Sequence, residues 1–102
     1  MYERGQGVQQ DYKEAVRLYR MSADQGFAEA QLNLGEMYND GYGVPQDYVY
    51  AYAWYNIAKS NGDENARNIL DRITKEMTKE QIAEAMSLST EIYKRIEANT
   101  KD

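Results

Sequence analysis

The sequence predicts an all-α fold, an α/α solenoid of antiparallel helix pairs with about five helices, the last of them a C-terminal capping helix. Three observations point there. The string "GQGVQQDY" at 5–12 returns as "GYGVPQDY" at 41–48, 36 residues later, and a fixed period of this size marks stacked supersecondary units. Between these strings, apolar residues recur at intervals of three and four, which is the helical period. Each such segment is bounded by a capping Asp or Thr at its start or by Gly at its end.

The offset runs well beyond the octapeptide. Met1-Tyr2 returns as Met37-Tyr38, Ala15 and Tyr19 as Ala51 and Tyr55, Gly26 and Ala30 as Gly62 and Ala66, and Leu34 as Leu70. Taken in order, "DYKEAVRLYRMSADQG" opens on Asp11 as N-cap, with Glu14 three residues later completing a capping box. Val16, Tyr19 and Ala23 then fall on one face, and Gly26 closes the helix. "AEAQLNLGEMYND" is the second helix, with Ala30, Leu34, Met37 and Tyr38 at helical spacing. "QDYVYAYAWYNIAKSNG" repeats the first and stops at Asn61-Gly62. A fourth helix is expected over roughly 64–76. Met77 stands where the repeat would place a glycine. The last helix follows at once, with Thr78 as N-cap and Gln81 closing a capping box. Its expected stripe is Ile82, Met86, Tyr93 and Ile96, with Ser89 between.

The repeated octapeptide is the turn of each unit. Gly41 takes the left-handed conformation that closes a helix, and Gly43 leaves room for a tight backbone passage. Val44 plugs the turn, Pro45 stops helix propagation and Asp47 caps the next helix. Gly5, Gly7 and Asp11 are assigned the same roles in the first copy, and Gly62 closes the third helix. A phosphate-cradling loop would need a third glycine and a preceding strand, and the sequence offers neither. The chain therefore reads as one domain, 1–102. It divides into a partial repeat (1–26), a complete repeat (27–62), and a C-terminal repeat with its capping helix (63–102), since atypical terminal units cap a solenoid. No helix is expected before the first turn, so an upstream part of a longer array is expected to be missing.

Composition narrows function. Hydrophobic residues make up 42%, as in a globular chain, and the aromatics are ten Tyr, one Trp and one Phe. A net charge of -5 argues against nucleic acid, whose phosphates need clustered Lys and Arg. No apolar run approaches the roughly 20 residues of a membrane span, and "MYERGQGV" has no secretory apolar core. The chain contains neither Cys nor His. This removes disulfides, thiol nucleophiles, imidazole catalysis and most metal sites. No catalytic, cofactor-binding or metal-ligating residues are assigned, and no cofactor is expected. Asp40 and Asp47 flank the turn, but "NDGYGVPQD" lacks the calcium-loop spacing. The chain is therefore expected not to be an enzyme.

Within 34–66, Leu34, Gly35, Tyr38, Gly41, Gly43, Val44, Asp47, Tyr48, Ala51, Trp54, Tyr55, Ala58 and Gly62 resemble the pattern of the Sel-one-like repeat. The first copy departs at Leu18, where the family prefers Trp. The tail "MTKEQIAEAMSLS" resembles the closing segment of bacterial members. The resemblance implies a relative of the tetratricopeptide repeat, a right-handed superhelix of helix pairs. It implies a non-catalytic adaptor for a protein or peptide partner, in a bacterial cytoplasm, or in the periplasm or outside the cell where an upstream signal precedes the chain. The β-lactam-related branch of the family carries spaced cysteine pairs; this chain has none, and that hydrolase activity is only a remote alternative. A structural spacer or oligomerisation module is the other alternative.

In a solenoid of this kind the first helix of each pair lines the concave face. Leu34, Gly35 and Tyr38 point into the packing, which leaves Glu29, Leu32, Glu36, Asn39 and Asp40 for the groove. Adding 36 gives Asn65, Asn68, Arg72, Lys75 and Glu76, and the first unit adds Glu3 and Arg4. No Lys or Arg lies between Arg20 and Lys59, so this strip is a candidate for a basic partner segment, weighed against a merely solvating face. Tyr50, whose counterpart is Glu14, is a candidate anchor on the convex side. The helix at 11–25, lacking a partner helix, is a candidate surface for end-to-end self-association through Val16, Leu18 and Tyr19.

Overall fold

The structure is a computed structural model and describes residues 5–100. Its elements are α1 (Gly5–Asp24), α2 (Ala28–Asp40), α3 (Tyr48–Ser60), α4 (Glu64–Ile73), a single 3-10 turn (Thr74–Glu76) and α5 (Lys79–Thr100). Among the described residues there is no strand, and no helix is long and apolar enough to cross a membrane. Glu3 and Arg4 lie outside the described residues.

The expected caps form where the second repeat and the tail place them. The Asp47 carboxylate accepts from Val49 N at 3.0 Å and Tyr50 N at 3.2 Å. Asp63, a cap the sequence reading did not assign, does the same for Asn65 N and Ala66 N at the start of α4. Thr78 and Gln81 close a reciprocal box, Thr78 N to Gln81 Oε1 at 2.9 Å and Gln81 N to Thr78 Oγ1 at 3.0 Å. Such bonds satisfy amides that the first turn of a helix leaves without partners. Gly41, at φ 75°, closes α2 by donating its N–H to Met37 O at 2.8 Å.

The first copy of the turn departs from expectation. α1 begins at Gly5 and runs through Gly7 and Asp11, so these three residues are helical rather than turn and cap. The two octapeptides differ where it matters. Pro45 has no N–H to donate and its ring clashes with the preceding turn, so the chain cannot stay helical there. The first copy has Gln9 at that position, and nothing prevents propagation.

Helix α3 is the centre of the molecule. Ala51 through Tyr55 are buried without interruption, as are Ile57 and Ala58, because α2, α4 and α5 all pack around it. A helix that is apolar on every side must be enclosed in this way. Gln31 ties the ends of three helices together. It is fully buried, donates Nε2 to Ala23 O at 3.0 Å, and accepts from Asn61 Nδ2 at 2.8 Å. α5 lies along α3 and reaches α1, where Arg95 pairs with Asp24 at 2.7 Å.

The face by which α5 docks keeps Ser89 and Ile96 of the expected stripe, with Ile82 partly buried against the core, but turns Met86 and Tyr93 outward. Ala85, Ser89, Ile92 and Ile96 are buried, while Met86 and Tyr93 are 52% and 47% exposed. Small Ala85 and Ser89 let α5 approach α3 closely, and Ser89 Oγ satisfies itself on Ala85 O at 2.9 Å.

Candidate protein-binding groove

Helices α2 and α4 each pack on α3, and a groove of about 420 Å³, open to solvent, lies between them. One wall comes from α2. Ala30, Gln31, Leu34, Gly35 and Tyr38 are its buried side, so Glu36, Asn39 and Asp40 stand on the other and line the groove. The opposite wall carries Arg72 from α4, with Lys75 and Glu76 from the 3-10 turn that extends it. The floor is Tyr48 and Tyr55 of α3 with Ile69 and Ile73 of α4.

Gly35 sets the depth of this floor. A Cβ there would sit 2.7 Å from the Tyr55 ring, well inside van der Waals contact. Only glycine lets α2 come so close to the ring, which leaves Tyr55 buried at the base of the groove.

The charges on the two walls converge. Glu36 has its carboxyl pushed above the ordinary carboxylate range, first by burial and then by the neighbouring charge of Asp40. Asp40 accepts a bond from Asn39 Nδ2 at 3.0 Å. The Tyr55 phenol is held well above its ordinary range by burial, then by Glu36 and Asp40, with Arg72 pulling the other way. Tyr55 therefore feels both walls. Among the described residues the ion pairs are Arg17 with Glu14 and Arg95 with Asp24, so none joins the walls.

The structure brings together Glu36, Asn39, Asp40, Arg72, Lys75 and Glu76 of the expected strip, but not Glu29, Leu32, Asn65 or Asn68. Glu29 lies at the far end of α2, in a separate depression with Tyr19, Phe27 and Asn33. Eleven residues of helix, roughly 16 Å, separate it from Asp40. Leu32 is half-buried and packs on the hydrophobic core. Asn68 lines a third depression with Lys59, Asp63 and Arg67, and Asn65 is exposed beside the Asp63 cap.

Tyr50 is 40% exposed, yet its ring stacks on Tyr38 with centroids 5.1 Å apart. The Tyr38 hydroxyl accepts in turn from Arg20. Tyr50 is thus partly engaged by its own fold. Tyr48, Ala51, Tyr55 and Ala58 share one side of α3 by spacing, which assigns them to the core; Tyr55 is buried there and Tyr48 packs against it, but spacing did not show that both also floor a groove. The available signal was the phenol itself, which favours places where one end is apolar and the other wet.

No curated protein matches the chain in sequence. The Sel1 repeat family matches residues 1–27 and again residues 28–63, which is more than half of the sequence and agrees with the 36-residue period. Repeats of this family generally mediate protein–protein interaction, and proteins built from them are typically non-catalytic adaptors. With two adjoining matches covering the repeated helices and the turn between them, the chain belongs to the Sel1 repeat family.

Proposed function

We propose that this chain is an interaction module that holds a segment of a partner protein in the groove between α2 and α4, with the acidic wall taking basic side chains. One observation carries the reading: Glu36 and Asp40 stand beside an apolar floor in an open groove, with no cation paired to either among the described residues. The ionisation of Glu36 is disfavoured by burial and then by the charge of Asp40, an electrostatic cost that a bound cation would relieve.

The test is selection from a displayed peptide library. The wild-type chain is expected to enrich sequences rich in Lys and Arg. A Glu36→Lys, Asp40→Lys variant, shown to be folded by circular dichroism, is expected to lose them. Glu29→Lys, outside the groove, is expected to keep them. Enrichment that survives the double reversal would exclude the groove as the site.

A second reading, self-association, is favoured by α1, though not through all the expected residues: Val16 is buried in the core and Tyr19 is half-buried against it because α2 packs there, which leaves Leu18 and adds Met21. Leu18 and Met21 are 50% and 56% exposed, whereas their repeat counterparts Trp54 and Ile57 are 3% and 2% exposed. On α3 that side is covered; on α1 it is an apolar surface able to meet a second copy. Sedimentation should then show mass rising with concentration, an increase that Leu18→Glu abolishes. A strictly monomeric wild-type chain at high concentration would end this reading.

A further inference from the structure

The groove is not uniformly acidic, and its second wall says what else the ligand carries. Arg72 and Lys75 face Glu36 and Asp40 across the floor of Tyr55 and Ile73, and no ion pair closes the gap among the described residues. Glu76 stands beside the two cations, so the lining sets three carboxylates against two cations and is close to balanced. A site meant only for cations gains nothing from a guanidinium and an ammonium on its rim. Like charges facing a basic ligand oppose its binding.

We propose that the ligand is a dipolar peptide segment, with a basic and an acidic residue adjacent in sequence. Its cation meets Glu36 and Asp40, and its carboxylate meets Arg72 and Lys75. The proposal rests on the groove reading above. Successive side chains of an extended segment point to opposite sides, so one dipeptide lying along the groove addresses both walls. Arg72 presents a fork that takes a carboxylate in two parallel bonds. Each wall then completes the ion pairing that the folded chain leaves open.

Two blocked hexapeptides separate this from simple attraction to an acidic surface. Alternating Lys-Glu carries no net charge, and alternating Lys-Gln carries three positive charges. The chain as a whole is at -5, so general electrostatics favours the Lys-Gln peptide. The dipolar site favours Lys-Glu. Affinities are read by NMR titration of the labelled wild-type chain and of an Arg72→Gln, Lys75→Gln variant. The expected result is tighter binding of Lys-Glu to wild type, with a loss of about tenfold or more in the variant. The variant should hold Lys-Gln at least as well as wild type does.

Equal or tighter binding of Lys-Gln by wild type overturns the dipolar ligand and leaves the basic-segment reading standing. An unchanged Lys-Glu affinity in the variant also overturns it. Failure of wild type to bind either peptide overturns both readings together.

Discussion

Three glycines of this chain hold different constraints, and single alanine substitutions separate them. Gly62 has φ 99° and open space around it, with nothing within 4 Å of where a Cβ would stand, so Gly62→Ala meets only backbone strain, roughly 1–2 kcal/mol. Gly35 has an ordinary helical conformation but faces the Tyr55 ring at 2.7 Å; overpacking there costs about 1–3 kcal/mol. Gly43 carries both burdens, with φ 77° and a Cβ that would lie 2.5 Å from the Tyr12 carbonyl oxygen. Urea unfolding should rank Gly43→Ala as the most damaging of the three. A Gly62→Ala variant as unstable as Gly43→Ala would refute the packing role of that turn. The sequence marked all three as turn or family glycines. It did not show that Gly43 rests on α1, nor that Tyr42 beside it stacks on Tyr12 with ring centroids 4.7 Å apart.

At the scale of elements, the second repeat was legible nearly to the residue. Its boundaries are set by local chemistry: a left-handed Gly41, an imino acid at 45, and a carboxylate cap at 47. The two departures lie where local chemistry is permissive. α1 passes through Gly5, Gly7 and Asp11 because Gln9 does not interrupt it as Pro45 does. α5 turns a different side inward because periodicity offered two neighbouring stripes. The apolar one, Met86 and Tyr93, looked better by residue type. The one through small Ala85, which shares Ser89 and Ile96 with the expected stripe, packs closer to α3, and with Ile92 it forms an unbroken 4-3-4 spacing. The tie between Arg95 and Asp24 is solvent-exposed, with side chains 52% and 27% accessible. Such a pair is worth at most about 1 kcal/mol, so α5 is held chiefly by its buried stripe.

Across the whole molecule, stability should vary with pH in two windows. Burial raises the phenols of Tyr52 and Tyr55 above the ordinary 10.0. A raised folded value means the contribution is complete below pH 10 and is lost as pH climbs above it. Alkaline unfolding is therefore expected, and Tyr55→Phe, which keeps the ring, should weaken the dependence. Glu36 is raised above 4.5, so the same sign applies at the acidic end. Its contribution is complete below pH 4.5 and is lost as pH rises through the folded value, which makes the charged side chain a liability at pH 7. Glu36→Gln should accordingly be more stable than wild type at neutral pH, with the gap closing below pH 4. Thermal melts across pH check both windows, and a Glu36→Gln variant less stable than wild type at pH 7 would contradict the second.

By itself the sequence determined the helical repeat, its period, the Asp47 and Thr78 caps and the all-α class, because these follow from interactions within a few residues of each other. It also placed Glu36, Asn39, Asp40, Arg72 and Lys75 on the outward sides of α2 and α4 and its 3-10 extension, since helical geometry alone assigns a residue to a side. Only the tertiary structure decided which of those residues share a groove. That depends on how closely α2 and α4 pack on α3, a distance set by Gly35 against Tyr55. The same packing left Glu29 and Asn68 in other depressions and made Tyr48 and Tyr55 the floor, because burial depends on neighbours distant in the chain.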